Sequence, residues 1–129
     1  MIYGIGTDIC AIERIQRSYE KRGQIYAATF CNSNELMQIE KSSSPALHLG
    51  KIHCAKECIG KAVGTGLVPD FWWDDIEVNI NNGGNEVFLF ENGMQFIRKS
   101  LKIDGSWKLH LSLSNTSKLI SGVCIISAS

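Results

Sequence analysis

The predominant period of the hydrophobic residues in this 129-residue chain changes near Pro69. Before that point they recur mostly three or four positions apart, and beyond it they mostly alternate with polar residues. Helices are predicted over about residues 11–22, from near Ser33, and over 45–63, with a weaker one over 93–101. Strands are predicted over residues 2–9, 76–80, 86–90, 107–114 and 119–126. We therefore expect one α+β domain spanning residues 1–129, in which an antiparallel sheet packs against helices.

The first predicted strand carries glycine at alternate positions. Gly4, Gly6 and Asp8 would share one face, because successive side chains of a strand point to opposite sides. A strand face without side chains lets another element come close. Asp8 is thus predicted to end a strand on a face that other groups can approach. An equally open interpretation makes Asp8 only the N-cap of the following helix.

The helix predicted over residues 45–63 has two chemically different sides. The side predicted to pack carries five apolar residues: Ile52, Ala55, Ile59, Ala62 and Val63. The opposite side is predicted to carry Gly50, His53, Glu57 and Lys61. Glu57 and Lys61 form an i,i+4 pair, and such pairs are most often no more than solvated surface.

Composition excludes several classes of protein. The formal net charge is zero, which argues against a nucleic-acid-binding protein held by bulk charge. No segment has the roughly 20 apolar residues that span a bilayer, and the start of the chain lacks the features of a signal peptide. The five cysteines have no paired spacing, so free thiols in a reducing cytoplasm are expected. His53, Cys54 and Cys58 lack a second pair of ligands at zinc spacing.

Three polar sets remain that could carry chemistry: Asp8, the Glu57–Lys61 pair, and His110 with the serines beside it. Two carboxylates from separate elements suit Mg²⁺, which binds carboxylate oxygens and keeps positions for water and phosphate. An adjacent lysine would offset phosphate charge, and a histidine and hydroxyls would supply hydrogen bonds. His110 can equally be a surface residue on the wet face of an edge strand. The residues alone predict at most a magnesium–phosphate site.

The same residues resemble a known family. The similar segments are residues 1–9 (MIYGIGTDI), 12–15 (IERI), 55–57 (AKE), 60–66 (GKAVGTG), 75–78 (DIEV) and 110–114 (HLSLS). In this order they are similar to the motifs of holo-acyl-carrier-protein synthases, which are 4′-phosphopantetheinyl transferases. The resemblance covers nearly the whole chain and depends on the ordered set, since one glycine-rich strand would be weak evidence.

The resemblance implies a magnesium-dependent reaction with coenzyme A as co-substrate. The hydroxyl of a serine in an apo acyl carrier protein attacks the pantetheine-side phosphorus. The 4′-phosphopantetheine group moves to the serine, and adenosine 3′,5′-bisphosphate leaves. It also implies a cytoplasmic enzyme of fatty acid biosynthesis that assembles as a homotrimer, with active sites at the subunit interfaces. Neither nucleic acid nor a membrane is an expected partner.

The resemblance also implies roles for individual residues. Asp8 and Glu57 would be the metal ligands, and Glu57 would also help to deprotonate the serine through a bound water. Lys61 would stabilise phosphate charge, and His110 would bind or orient substrate, so the expected catalytic residues are Glu57, Lys61 and His110. The residues expected to bind coenzyme A are Lys51, Lys61, Gly64, His110 and Ser112. Those expected to bind the carrier protein are Arg14, Lys21 and Arg22, for which a solvated helix face is the alternative.

The chain departs from the family pattern at three places. An Arg-Phe pair usually precedes the AKE segment, and this chain has Ile52-His53, so Lys51 would have to replace the arginine in holding coenzyme A. Gly84-Asn85-Glu86 stands where the family has Gly-Lys-Pro, which removes a cation. Asn115 occupies a position where a second histidine is common. These departures affect the expected nucleotide contacts more than the carboxylates.

Three alternatives stay open. The first is a non-catalytic relative on the same fold that binds the carrier protein or coenzyme A, against which the intact Asp8, Glu57 and Lys61 argue. The second is another magnesium-dependent phosphotransferase, although the chain has no GxxxxGK[ST] loop. The third is a structural module that forms trimers, which would not need a pair of carboxylates.

Overall fold

A computed structural model gives the structure of the protein and describes residues 1–81 and 84–129. The helices are α1 (Ile12–Arg22), α2 (Gln24–Ala27), α3 (Ser33–Lys41), α4 (Pro45–Val63) and α5 (Glu91–Ser100). The strands are β1 (Ile2–Ala11), β2 (Ile76–Asn81), β3 (Gly84–Leu89), β4 (Trp107–Asn115) and β5 (Leu119–Ala128). Every predicted helix and strand is confirmed within a few residues. The sequence did not predict α2, because four residues are too few to show a helical period.

The strands form two antiparallel sheets. One has the order β1-β5-β4, and the other is the β2–β3 hairpin. The antiparallel pairing of β2 with β3 confirms the predicted hairpin, while residues 82 and 83 of the predicted turn lie outside the described part of the chain. The α+β class and the antiparallel sheet are therefore confirmed.

Helix α4 lies against β1 and β5 because β1 offers it a face without side chains. A Cβ atom on Gly4 would lie 1.9 Å from the carbonyl oxygen of Ala62. One on Gly6 would lie 2.1 Å from the carbonyl oxygen of Cys58, closer than any non-bonded contact allows. The glycines that the sequence places on one face of the strand thus allow the backbone of α4 to touch the sheet. This contact also brings the end of β1, with Asp8, to the middle of α4.

Most of α4 is buried, because the sheet covers one side while α1, α3 and β2 cover others. The five apolar residues predicted to pack are all buried, which confirms that side of the helix. Gly50 was predicted on the polar side, and this prediction is wrong. It is buried, and a Cβ there would lie 2.6 Å from Cδ1 of Ile120. A two-sided helical wheel cannot represent a helix that has neighbours on more than one side.

A buried ion pair joins α3, α4 and β2. Nζ of Lys56 donates to Oε1 of Glu35 at 2.8 Å and to the carbonyl oxygens of Phe30 and Trp73 at 2.7 and 3.0 Å. Oε2 of Glu35 accepts from the backbone N–H of Val78 at 2.8 Å. Neither side chain of the pair is exposed to solvent. All three ammonium protons are satisfied, which is the condition under which a buried charge is tolerated.

Two further expectations can be compared with the structure. The five cysteines, all in the described part of the chain, are free thiols, as predicted. Among the helices of residues 1–81 and 84–129, none is long and apolar enough to cross a membrane.

Candidate active site

Asp8 points from β1 towards α4, where Lys61 meets it. Nζ of Lys61 donates to Oδ1 of Asp8 at 2.9 Å. The Asp8 side chain is largely buried, whereas that of Lys61 is half exposed. This hydrogen bond raises the pKa of Lys61 above its usual value, so the lysine stays protonated. The N-cap of α1 is Ala11, which makes no side-chain cap. The interpretation of Asp8 as a helix cap is therefore wrong.

Glu57 lies one turn before Lys61 on the same side of α4 and is partly buried. It forms no hydrogen bond or ion pair within residues 1–81 and 84–129. Burial raises the pKa of Glu57, and the negative charge of Asp8 raises it further, while Lys61 partly offsets both. Two neighbouring carboxylates repel each other when both are ionised, so a cation is attracted to the site that they form.

Asp8 and Glu57 open into one cavity of about 660 Å³ between α1 and α4. Basic residues of α1, Arg14 and Arg22, also line it. Four aromatic residues form a further part of the wall, namely Tyr26, Phe30, His53 and Trp73. Arg22 places its guanidinium 5.0 Å from the centre of the Tyr26 ring, a distance typical of a cation–π contact. The cavity thus combines an acidic end, a basic wall and an aromatic wall.

The donor set fits a magnesium ion better than a transition metal. No three histidine, cysteine or carboxylate side chains of the described residues converge as metal ligands. Mg²⁺ commonly takes only one or two carboxylates from a protein and completes its shell with water and substrate phosphates. Asp8 and Glu57 supply such a pair, and the unpaired state of Glu57 leaves its oxygens available. Zinc would require more nitrogen or sulfur ligands than the cavity offers.

The residues expected to hold coenzyme A are only partly brought together. Gly64 follows Lys61 at the end of α4, where φ is +92° and the backbone N–H donates to the carbonyl oxygen of Lys61 at 3.1 Å. Lys51 does not line the cavity. It lies three residues after His48 on α4. Burial lowers the pKa of His48, and the positive charge of Lys51 lowers it further.

His110 and Ser112 lie on the other face of the sheet. Gly4, Gly6 and Asp8 face α4, so the alternate residues Ile5, Thr7 and Ile9 face away from it. Register pairs Ile5 with Ile125, and Ile125 with His110, which places His110 on this outer face together with Ser112. His110 Nε2 lies 3.0 Å from Oγ of Ser127. One chain by itself does not bring His110 or Ser112 to Asp8 and Glu57.

Of the residues predicted to bind the carrier protein, Arg14 and Arg22 line the cavity, and Lys21 is exposed on α1 outside it. The aromatic wall could not be predicted from the sequence. Its members come from α2, α4, a turn and a short 3₁₀ helix, and aromatic residues at such separations have no shared period. Only His53 could be singled out, on the polar side predicted for the helix over residues 45–63, beside Cys54 and Cys58, and as a departure from a family motif.

Comparison with known proteins identifies the family of this chain. The family model of the 4′-phosphopantetheinyl transferase superfamily matches residues 4–115. A holo-[acyl-carrier-protein] synthase of Nitrosospira multiformis is 33% identical over 126 residues, which cover 98% of this chain and 98% of the relative. One from Neisseria meningitidis is 34% identical over 115 residues, covering 89% and 90%.

Solved structures show the same fold. The crystal structure of the holo-[acyl-carrier-protein] synthase from Neisseria meningitidis superposes with a TM-score of 0.83 at 29% identity, and all of both chains is covered. The synthase from Bacillus anthracis in complex with CoA (3′,5′-ADP) superposes with a TM-score of 0.77 at 25% identity, covering 100% of this chain and 99% of the other. The family model and the relatives together show that this chain belongs to the 4′-phosphopantetheinyl transferase superfamily.

Proposed function

We propose that this protein transfers the 4′-phosphopantetheine group of coenzyme A to a serine of an apo acyl carrier protein, releasing adenosine 3′,5′-bisphosphate. One observation supports this most strongly: Asp8 and Glu57 line one cavity together with Arg14 and Arg22, and Lys61 donates a hydrogen bond to Asp8. The relatives named holo-[acyl-carrier-protein] synthase support the same activity. We place the activity in the cytoplasm and in fatty acid biosynthesis, with residues 1–129 acting as one transferase domain.

Asp8 and Glu57 would hold a magnesium ion in this proposal. When bound, the ion would neutralise charge on the pyrophosphate of coenzyme A. Lys61 is half exposed, so its ammonium group can contact a phosphate as well as Asp8. It would stabilise the negative charge that moves to the leaving group. Gly64 would let a phosphate approach the end of α4, because it has no side chain. Lys51 does not line the cavity, so it would contact only a more remote part of the nucleotide.

Glu57 is also the group best placed to receive the proton of the attacking serine through a bound water. Its pKa is raised by burial and by Asp8, which makes it a better base than an ordinary glutamate. The serine oxygen then forms its bond to the pantetheine-side phosphorus. The bond from that phosphorus to the bridging oxygen breaks, and adenosine 3′,5′-bisphosphate takes the electron pair.

The carrier protein would dock against α1. Arg14 and Arg22 face the cavity, and Lys21 extends the same basic surface, so an acidic helix of the carrier would be attracted there. Docking beside these arginines would bring the acceptor serine into the cavity that Glu57, the proposed base, also lines.

A homotrimer would account for the outer face of the three-stranded sheet. On this face Ile5 is 57% and Ile9 63% exposed. Exposure of neighbouring large apolar side chains to water is unfavourable, and such a surface is typical of an interface. His110 and Ser112 share that face, so assembly through it would bury them at an interface. They would then complete the coenzyme A site of a neighbouring copy, which explains how residues on opposite faces of one sheet serve one reaction.

Intact-mass spectrometry tests the activity. An apo acyl carrier protein incubated with this protein, coenzyme A and Mg²⁺ should gain the mass of one phosphopantetheine group, and EDTA should abolish the gain. No gain with several apo carriers, from a sample that unfolds cooperatively on heating, would contradict the proposal. It would then favour a non-catalytic relative.

Subunit complementation tests the shared site. Glu57→Gln and His110→Ala are each expected to lose most transfer. Unfolding and refolding the two inactive proteins together should restore part of the activity, because some interfaces then pair an intact Glu57 with an intact His110. No recovery in mixed oligomers, with mixing verified by native mass spectrometry, would contradict a site built from two copies.

A further inference from the structure

His53 is a polar residue of the cavity for which the proposed reaction has so far no use. It lies on α4 four residues before Glu57, so the two side chains are neighbours on one side of the helix. Both line the cavity that holds Asp8 at its acidic end. Arg14 and Arg22 of α1 line the same cavity. His53 therefore shares the cavity with the arginines against which a carrier would dock and with the carboxylates at which transfer would occur.

The imidazole of His53 packs against two aromatic rings that also contact each other. Phe30 presents an edge at 4.7 Å between ring centres with an interplanar angle of 84°. Trp73 stacks at 5.4 Å with an angle of 26°. These contacts restrict the orientation of the ring, and Phe30 itself contacts Trp73 at 5.0 Å. The side chain is thus positioned before any substrate arrives.

Packing alone does not explain a histidine at this position. Nδ1 is buried without a hydrogen-bond partner among the described residues. Phenylalanine would fill the same aromatic slot without leaving a polar atom unpaired. A buried polar group that the folded chain does not satisfy is a common feature of ligand sites, where the ligand supplies the partner.

The charge state leaves the ring one N–H to donate. Burial lowers the pKa of His53; the negative charge of Asp8 acts in the opposite direction, and the positive charge of Arg14 lowers the pKa further. A neutral imidazole has one nitrogen that donates and one that accepts, and the donating N–H suits the oxygen of a hydroxyl group. An aliphatic hydroxyl is also the nucleophile of the proposed reaction.

We propose that His53 donates a hydrogen bond from its ring N–H to the hydroxyl oxygen of the acceptor serine and orients it towards Asp8 and Glu57. This inference rests on the proposed function and assigns it a further substrate-contacting residue. The hydrogen bond moves no proton by itself. It occupies one lone pair of the serine oxygen, so that the single hydroxyl proton stays directed at the water beside Glu57 and the other lone pair faces the phosphorus.

Two substitutions separate hydrogen bonding from packing. His53→Phe keeps an aromatic ring packed against Phe30 and Trp73 and removes the proposed hydrogen bond to the serine. We expect kcat to fall about three- to tenfold, the effect of one hydrogen bond, with KM for coenzyme A unchanged and no loss of thermal stability. His53→Gln offers an amide at a similar position, and its kcat should stay within about twofold of the wild type. If His53→Phe does not fold, His53→Leu replaces it as the variant without a hydrogen bond.

A matched control is present on the same helix. His48 is also partly buried, also has an unpartnered ring nitrogen, and also has a lowered pKa, but it does not line the cavity. His48→Phe should therefore leave kcat unchanged. Wild-type kcat in His53→Phe, or an equal loss in His53→Gln and His53→Phe, would overturn the inference while wild-type transfer still supports the proposed function. Absence of transfer by the wild-type protein would overturn both.

Discussion

Replacing Lys56 by methionine should destabilise the protein strongly. Nζ of Lys56 makes three hydrogen bonds, to Glu35 and to two backbone carbonyl oxygens, and the side chain is fully buried. Lys56→Met keeps most of the volume of the side chain and leaves the carboxylate of Glu35 buried without a counter-charge. Removing one partner of a buried ion pair costs about 3–5 kcal/mol. That is a large fraction of the roughly 5–15 kcal/mol by which a domain is stable.

Urea unfolding followed by tryptophan fluorescence measures this loss, because Trp73 accepts one of the three hydrogen bonds. With a slope of about 1.5–2 kcal/mol/M, a loss of 4 kcal/mol moves the midpoint down by about 2 M. The protein concentration must be held constant, since assembly would add to the apparent stability.

Two further variants show whether the uncompensated charge is the cause. Lys56→Met with Glu35→Leu removes the pair together, and it should recover much of the loss, because an apolar replacement of a buried pair is often neutral. Lys51→Met, on the same helix but only partly buried and without an ion pair to the described residues, should change stability by no more than about 0.5 kcal/mol. A loss below about 1 kcal/mol in Lys56→Met would refute the reasoning.

Three other substitutions test the cavity and the fold. Glu57→Gln should abolish most transfer and yet raise Tm by about 2 °C without metal, as followed by thermal unfolding at pH 8. The sign follows from the raised pKa of Glu57: the unfolded chain loses this proton first, so the ionised carboxylate costs stability as pH rises. Mg²⁺ should raise Tm of the wild type and not of Glu57→Gln. Arg14→Glu should raise KM for the carrier protein about tenfold or more and leave KM for coenzyme A unchanged in steady-state assays. Gly6→Ala should prevent stable folding, seen as loss of the cooperative thermal transition, because its Cβ would lie 2.1 Å from a backbone oxygen.

Each of these has its own control and contrary outcome. A lower Tm in Glu57→Gln would show that Glu57 makes a stabilising contact instead of bearing a desolvation cost. Arg17, which is engaged by Glu13 and does not line the cavity, should tolerate alanine with little change in KM for the carrier. An equal effect of Arg17→Ala would indicate that net charge alone attracts the carrier. Thr7→Ala, on the exposed face beside Gly6, should keep Tm within about 2 °C, and a cooperative transition in Gly6→Ala would refute the steric argument.

Periodicity was sufficient to predict most of the secondary structure, because α4 and the strands β2, β4 and β5 each have a regular apolar pattern that local packing requires. The Gly4–Gly6–Asp8 pattern also predicted the close approach to β1, since only a residue without Cβ permits it. The helix α2 and the burial of Gly50 could not be predicted in this way. The first is too short to show a period, and the second depends on how many elements surround α4.

The candidate site divides in the same manner. Asp8, Glu57 and Lys61 could be selected from the sequence, because strand alternation and helical spacing each placed them on a particular face of one element. Contacts between residues 17 to 53 positions apart decide the rest of the site. Through them Lys61 meets Asp8, Lys56 is buried with Glu35, and His53 packs against Phe30 and Trp73. Local sequence rules describe what a segment prefers, whereas such contacts follow from the packing of the complete fold. For the same reason the sequence could select His110 and Ser112, but only the tertiary structure showed that they lie on the opposite face of the sheet from the carboxylates.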